Sequence, residues 1–244
     1  MKGDNEIRIE KPKYLPITKK ALIFDSGAVI SFSMNGITSI LRDLKKSFRG
    51  KFLIPLAVKS ELIDVPITIK RFELEALKVK KLLDDGIFEL PSAVDVKDSE
   101  VHQLDKKMMD TANSTFSANG RDIHLVDHGE ASCLALSSIL AGRGVDSVIA
   151  IDERTTRLLA EKPENLRRIL EDRFHTNVRV NQENLKMFSK FKMIRSTELA
   201  YVAYKKGLID LKDGNRVLDA ILYSLKFKGA AISGEEIEEI KSLG

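Results

Sequence analysis

Four acidic residues stand where a carboxylate could act on something outside the fold. Asp25 follows the apolar run ALIF and is succeeded at once by Ser26 and Gly27, and Asp152 ends the run SVIAI in the same way. Glu61 falls on a helical stretch directly after the short apolar run FLIP, and Glu130 falls in the first turn of a helical stretch that Asp127 opens. In an open parallel sheet, ligands bind at the C-terminal edge of the strands, where a strand-ending acid is presented. Carboxylates gathered there repel one another, so either some hold protons or a cation sits among them. A donor set made only of oxygen favours Mg2+ or Mn2+. Such an ion supplies Lewis acidity for phosphodiester hydrolysis and requires no protein nucleophile and no histidine.

Each acid also has a plainer use. Asp127 and Glu130 form D-x-x-E, the pattern of a helix capping box. Glu61 reads as a solvated helix acid, and Asp152 as a cap for the helix that begins near Arg154. Asp25 is the hardest to explain away, because a buried strand that ends in a bare acid is costly unless the acid is used.

The elements that must position these acids are legible as apolar runs and helical periods. Strands are expected at 20–25, 52–55, 87–90, 147–152 and 192–196. Asn35 is expected to cap a helix running to about 48, with Ile37, Ile40, Leu41 and Leu44 on one face. Pro55 opens a helix that Pro66 ends, and a charged helix follows over 69–85, with Leu74, Leu77, Leu82 and Leu83 as its stripe and Gly86 as its stop. A polar helix over 98–112 leads into NSTFSANGRD, which reads as a loop, either a mobile lid or a neutral insertion. Further helices are expected over 127–142, from about 154, from 196, and over 213–228 and 233–243. Strands alternating with helices indicate an α/β fold with a parallel sheet covered on both faces. Right-handed crossovers then bring the ends of the first and fourth strands side by side.

The totals agree with a globular chain. It has 244 residues, 43% hydrophobic and 31% charged. No apolar run approaches the roughly 20 residues of a spanning helix, and the charged opening stretch contains no signal-peptide core. Cys133 is the only cysteine, so no internal disulfide and no Cys/His zinc pattern is available, which fits a reducing cytoplasm. The net charge of +4 permits a polyanionic partner without demanding one. Residues 1–19 form a basic arm, which reads either as a frayed terminus or as a strap touching phosphates. A second basic stretch spans about 162–191, with Arg167, Arg168, Arg173, Arg179, Lys186 and Lys190. No dinucleotide or P-loop glycine motif is present. A phosphotransferase with its nucleophile at Asp25 would want a second acid at position 27, which is glycine.

Taken together, ALIFDSGAVI, IPLAVKSEL, DHGEASCLALS and VIAIDERTTR resemble the four acid-bearing segments of the PIN-domain family of metal-dependent ribonucleases, which includes the toxin nucleases of toxin–antitoxin pairs. The third segment is similar to the subgroup pattern G-E-A-x-x-L-A-L-A. The resemblance covers most of residues 20–243. It implies a three-layer α/β/α domain over 20–244 with a central parallel sheet of about five strands. It also implies endoribonuclease activity at Asp25, Glu61, Glu130 and Asp152, with Mg2+ or Mn2+ held by these acids. Glu153 stands where the subgroup often has a second Asp, which makes it a further candidate ligand. Ser26 would hydrogen-bond within the cluster or cap the next helix, Asp127 would support the site as a cap, and Arg154 and Arg157 would approach substrate phosphate or pair on the surface. His128 reads as a bystander, and Phe116 and Tyr14 as candidate base-stacking residues. The implied partners are RNA, single-stranded, together with a second copy of the chain and an antitoxin or RNA-processing protein. Residues 92–126 and 162–191 are longer than the family pattern. The alternative is a non-catalytic RNA-binding or assembly protein on the same fold.

Overall fold

A computed structural model describes residues 19–243; the basic arm, including Tyr14, lies outside them apart from Lys19. The central sheet is built from β1 (Lys20–Phe24), β2 (Lys51–Leu53), β5 (Asp146–Ala150) and β7 (Met193–Ile194), all parallel, in the order β2-β1-β5-β7. Residues 21–24 are buried without alternation, as expected of a parallel strand covered on both faces. The ends of β1 and β5 are neighbours, in register from Lys20↔Asp146 to Phe24↔Ala150.

The sheet has four strands rather than five. Residues 87–90 contribute only the bridge Leu53↔Glu89, with Glu89 N donating to Phe52 O at 2.8 Å and Ile54 N to Glu89 O at 3.0 Å. The reason is local. The amides of Ile87 and Phe88 are both spent on Leu82 O, closing the preceding helix, and Pro91 has no amide to give. Phe88 still packs against Phe24, with ring centroids 5.0 Å apart.

Helices surround the sheet. After β1 come α1 (Ser26–Met34) and α2 (Thr38–Ser47); after β2 come α3 (Leu56–Lys59), a π-helical turn (Ser60–Asp64) and α4 (Glu73–Asp84). The long α5 (Asp98–Asn113) precedes a hairpin of β3 (Phe116–Ala118) and β4 (Arg121–Asp122), and α6 (His128–Gly142) leads to β5. Then follow α7 (Arg154–Glu161), α8 (Pro163–Phe174), β6 (Arg179–Val180), α9 (Gln182–Phe188), β7, α10 (Ser196–Lys205), α11 (Asn215–Phe227) and α12 (Gly234–Ser242). Among the described residues no helix is long and apolar enough to cross a membrane.

Three expectations change. Asn35 does not open the next helix, whose N-cap is Ile37: it is the C-cap of α1, and its side-chain amide donates to Ser31 O and Ser224 O, tying α1 to α11. The buried stripe of α4 is Ala76, Val79 and Leu82, whereas Leu74 and Leu77 are exposed; the i, i+3, i+6 phase outweighs the pull of the larger side chains. NSTFSANGRD is no open loop. Its Asn119-Gly120 pair, both with positive φ, makes the two-residue turn that hairpins favour, and β3 then pairs with β6. Residues from 92–126 and from 162–191 therefore meet in one small antiparallel sheet, β4-β3-β6. Phe116 is fully buried in it and is unavailable for base stacking.

Candidate active site

Asp25 and Asp152 emerge from adjacent strands at one edge. Asp25 N donates to Ala150 O at 2.9 Å, one step beyond the last β1–β5 pair, and Ile151 N donates to Ile194 O at 2.9 Å, so the chain stays extended up to Asp152. Asp25 is also the N-cap of α1, its Oδ2 accepting from Gly27 N at 3.0 Å. That removes the capping role from Ser26, whose hydroxyl makes no hydrogen bond to the acids. Burial is the main cause that raises the Asp25 carboxyl to about 6, opposed by the amides of Gly27 and Ser26 and reinforced by the charges of Glu61 and Asp152.

Glu130 lies in the first turn of α6, where its Oε2 accepts from Asp127 N at 2.7 Å. Asp127 is the N-cap, as the D-x-x-E spacing indicates, and its own carboxylate faces His124 Nε2 at 2.7 Å. Burial is again the leading cause that pushes Glu130 up to about 8, with repulsion from Asp25, Glu153 and Asp127 adding to it. Glu61 reaches the cluster from the π-helical turn, which inserts one residue into the helix and re-aims what it carries. Its carboxylate stands over Gly129: a Cβ there would lie 2.7 Å from both oxygens. Gly27 is wedged in a similar way, its ideal Cβ 3.3 Å from Asp25 Oδ2 and 3.9 Å from Asp152 Cβ.

Asp152 is the most committed of the four. Ser196 N donates to its Oδ1 at 2.8 Å, and Ser31 Oγ and Ser196 Oγ donate to its Oδ2 at 2.8 and 2.7 Å. Ser196 opens α10, so its amide is one of the donors that every helix start leaves free. Neither serine stands out in the sequence. A carboxylate has about four acceptor positions, so Asp152 keeps little capacity for anything else. Glu153 caps α7, accepting from Thr156 N at 2.6 Å. Arg154 is exposed and makes no ion pair among the described residues, whereas Arg157 lies 3.6 Å from Glu161.

The acids thus face one edge, each tied to a helix start or turn. Among the described residues the tightest set of potential ligand atoms, all within 4.8 Å of one another, belongs elsewhere, to His102, Asp105 and His128. The carboxylate edge nonetheless fits a hard cation: its donors are all oxygen, and a divalent charge would offset the burial and repulsion that raise the carboxyls of Asp25 and Glu130. Beside Glu61 runs a groove of about 470 Å³ whose walls include Ile30, Met34, Phe72 and Val79. Arg71 lies over the half-exposed Phe72 ring, 5.4 Å from its centroid. Sequence spacing does not mark this aromatic–cation pair, and only its adjacency to Glu61 in space brings it to notice.

Comparison of the chain with family models, curated proteins and solved structures finds no match.

Proposed function

We propose that this chain is a metal-dependent endoribonuclease with a PIN-like α/β/α fold, acting on single-stranded cytoplasmic RNA. One observation carries the reading: two adjacent parallel strands end in buried acids, Asp25 and Asp152, and Glu61 and Glu130 face the same edge from the elements packed beside them. In this reading Asp25, Glu61 and Glu130 hold Mg2+ or Mn2+, and Asp152, oriented by Ser31 and Ser196, sets the far side of the site. The ion, when bound, supplies Lewis acidity toward the phosphodiester and an acidified water. Gly27 and Gly129 let the acids approach. Arg154, an exposed guanidinium, faces the substrate phosphate. Phe72 stacks a base in the groove beside Glu61. A second copy of the chain, or an antitoxin or RNA-processing protein, is part of the same proposal.

The test is cleavage of an unstructured RNA with Mn2+ or Mg2+ by the wild-type chain and by Asp25→Asn. Metal-dependent cleavage that disappears in the variant is expected, and equal cleavage by both would remove Asp25 from the mechanism.

The commitment of Asp152, Glu153 and Glu130 to hydrogen bonds within the fold favours a second reading, a non-catalytic RNA-binding or assembly protein. It requires RNA affinity that falls steeply with salt and is unchanged in Asp25→Asn, with no turnover under any metal.

A further inference from the structure

The helices α5 and α6 make the most extensive element-to-element contact in the structure. Asp105 lies on the α5 side of that seam, buried to 3% exposure. Its Oδ1 has no hydrogen-bond partner. Its Oδ2 lies 3.7 Å from His102 Nδ1 and 3.5 Å from His128 Nδ1. His102 is on the same face of α5, three residues earlier, and His128 is the first residue of α6.

A buried carboxylate without a partner is expensive, and no lysine or arginine ion pair reaches this one among the described residues. The two imidazoles stand too far off for good hydrogen bonds, but at a spacing with a different meaning. Ligands about 2.0–2.1 Å from a tetrahedral ion lie about 3.4 Å from each other. The rings are nearly perpendicular, at 86° with centroids 6.2 Å apart, and both are solvent-exposed. They therefore approach the carboxylate from different sides and remain open to an ion arriving from water. A cavity of about 260 Å³ opens onto the group, its other walls drawn from Pro55, Leu56, Ala57 and Val101 and from the polar Asp98, Ser99 and Ser132.

We infer that His102, Asp105 and His128 form a binding site for a first-row divalent transition metal, with Zn2+ as the expected occupant. Two imidazole nitrogens and one carboxylate oxygen suit Zn2+ and its neighbours rather than Mg2+. Three protein ligands leave a coordination position facing the cavity, where water or a small anion binds. The site lies one residue from the Asp127 cap of α6 and two from Glu130, so an ion there clasps α5 to the first turn of the helix that presents Glu130. It is independent of the nuclease reading, since none of its ligands belongs to the four-acid cluster.

The experiment is a Co2+ titration of the full chain after chelator treatment, followed by visible absorption. A saturable band at one equivalent, displaced by Zn2+, is expected, together with a higher melting temperature in Zn2+ than in chelator. His102→Ala and His128→Ala each abolish the band. Both histidines are exposed, so circular dichroism is expected to show these variants folded. The double variant Asp25→Asn/Glu130→Gln retains the band, which separates this site from the carboxylate edge. A band that persists in both histidine variants, or no band and no Zn2+ effect on melting in the wild-type chain, overturns the proposal.

Discussion

Both carboxylate oxygens of Glu61 lie 2.7 Å from the point that a Cβ on Gly129 would occupy. Glu61 and Glu130 can share one edge only because the residue before Glu130 has no side chain. Gly129→Ala is therefore expected to push Glu61 aside while leaving the fold intact, since the displaced atoms are the free end of an exposed side chain. Mn2+ affinity and RNA cleavage should fall by about 10–100-fold, as when a metal ligand loses its orientation, with an unchanged melting temperature in chelator. Calorimetry and a cleavage assay read the two halves separately; unchanged cation affinity would count against Glu61 as a ligand.

Asp25 near 6 and Glu130 near 8 both sit above the ordinary carboxyl range. The folded chain therefore binds more protons than the unfolded chain between about pH 4 and pH 8. The contribution of these two groups is fully present below about pH 4 and is lost as pH rises through 6 and then 8. Glu130→Gln removes the larger share, so its stability relative to wild type should climb over that window in chelator, measured by urea melts at successive pH values. Saturating Mn2+ should flatten the difference. A difference independent of pH would show that Glu130 titrates normally.

Asp152 and Asp25 should separate stability from activity. Asp152→Ala strands the Ser196 amide and the hydroxyls of Ser31 and Ser196 in a buried setting, at an expected cost of about 3 kcal/mol or more. Asp25→Asn keeps a side-chain oxygen to cap α1 and relieves the charge burial, so it should be at least as stable as wild type at pH 7 while losing cleavage. Denaturant unfolding of the two variants side by side decides this, and an Asp152→Ala chain as stable as wild type would contradict the anchoring role.

Cys133 is buried in α6, its Sγ 3.6 Å from Phe24 O. Burial and the charges of Asp25, Glu130 and Glu61 push its thiol well above the usual range. A maleimide should leave the native chain unlabelled and react with one equivalent after unfolding. Rapid labelling of native protein would mean that the seam between α6 and β1 opens.

Much of the frame was legible without coordinates. The apolar runs before Asp25 and Asp152 became neighbouring strands, and the periods of α5, α6, α7 and α10 appear close to where spacing puts them. The Asn119-Gly120 hairpin was also legible, because that dipeptide supplies two positive φ angles cheaply; the surrounding serines and asparagines drew attention to a loop instead. That residues 87–90 stop at a single bridge instead of forming the expected strand was not legible, because the amides of Ile87 and Phe88 are claimed by the end of α4, and an apolar tetrapeptide looks the same whether it pairs or not.

By itself, the sequence determined which acids stand at element ends and that their chemistry is oxygen-only, because both follow from residue type and local period. Tertiary structure alone decided which of them are already occupied. Asp152 is held by Ser31 and Ser196, 121 and 44 positions away, and Asp105 meets His128 only because α5 packs on α6. Spacing reports which residues share a face of one element. Which faces meet is decided by burial of the whole core, and that carries no local signature.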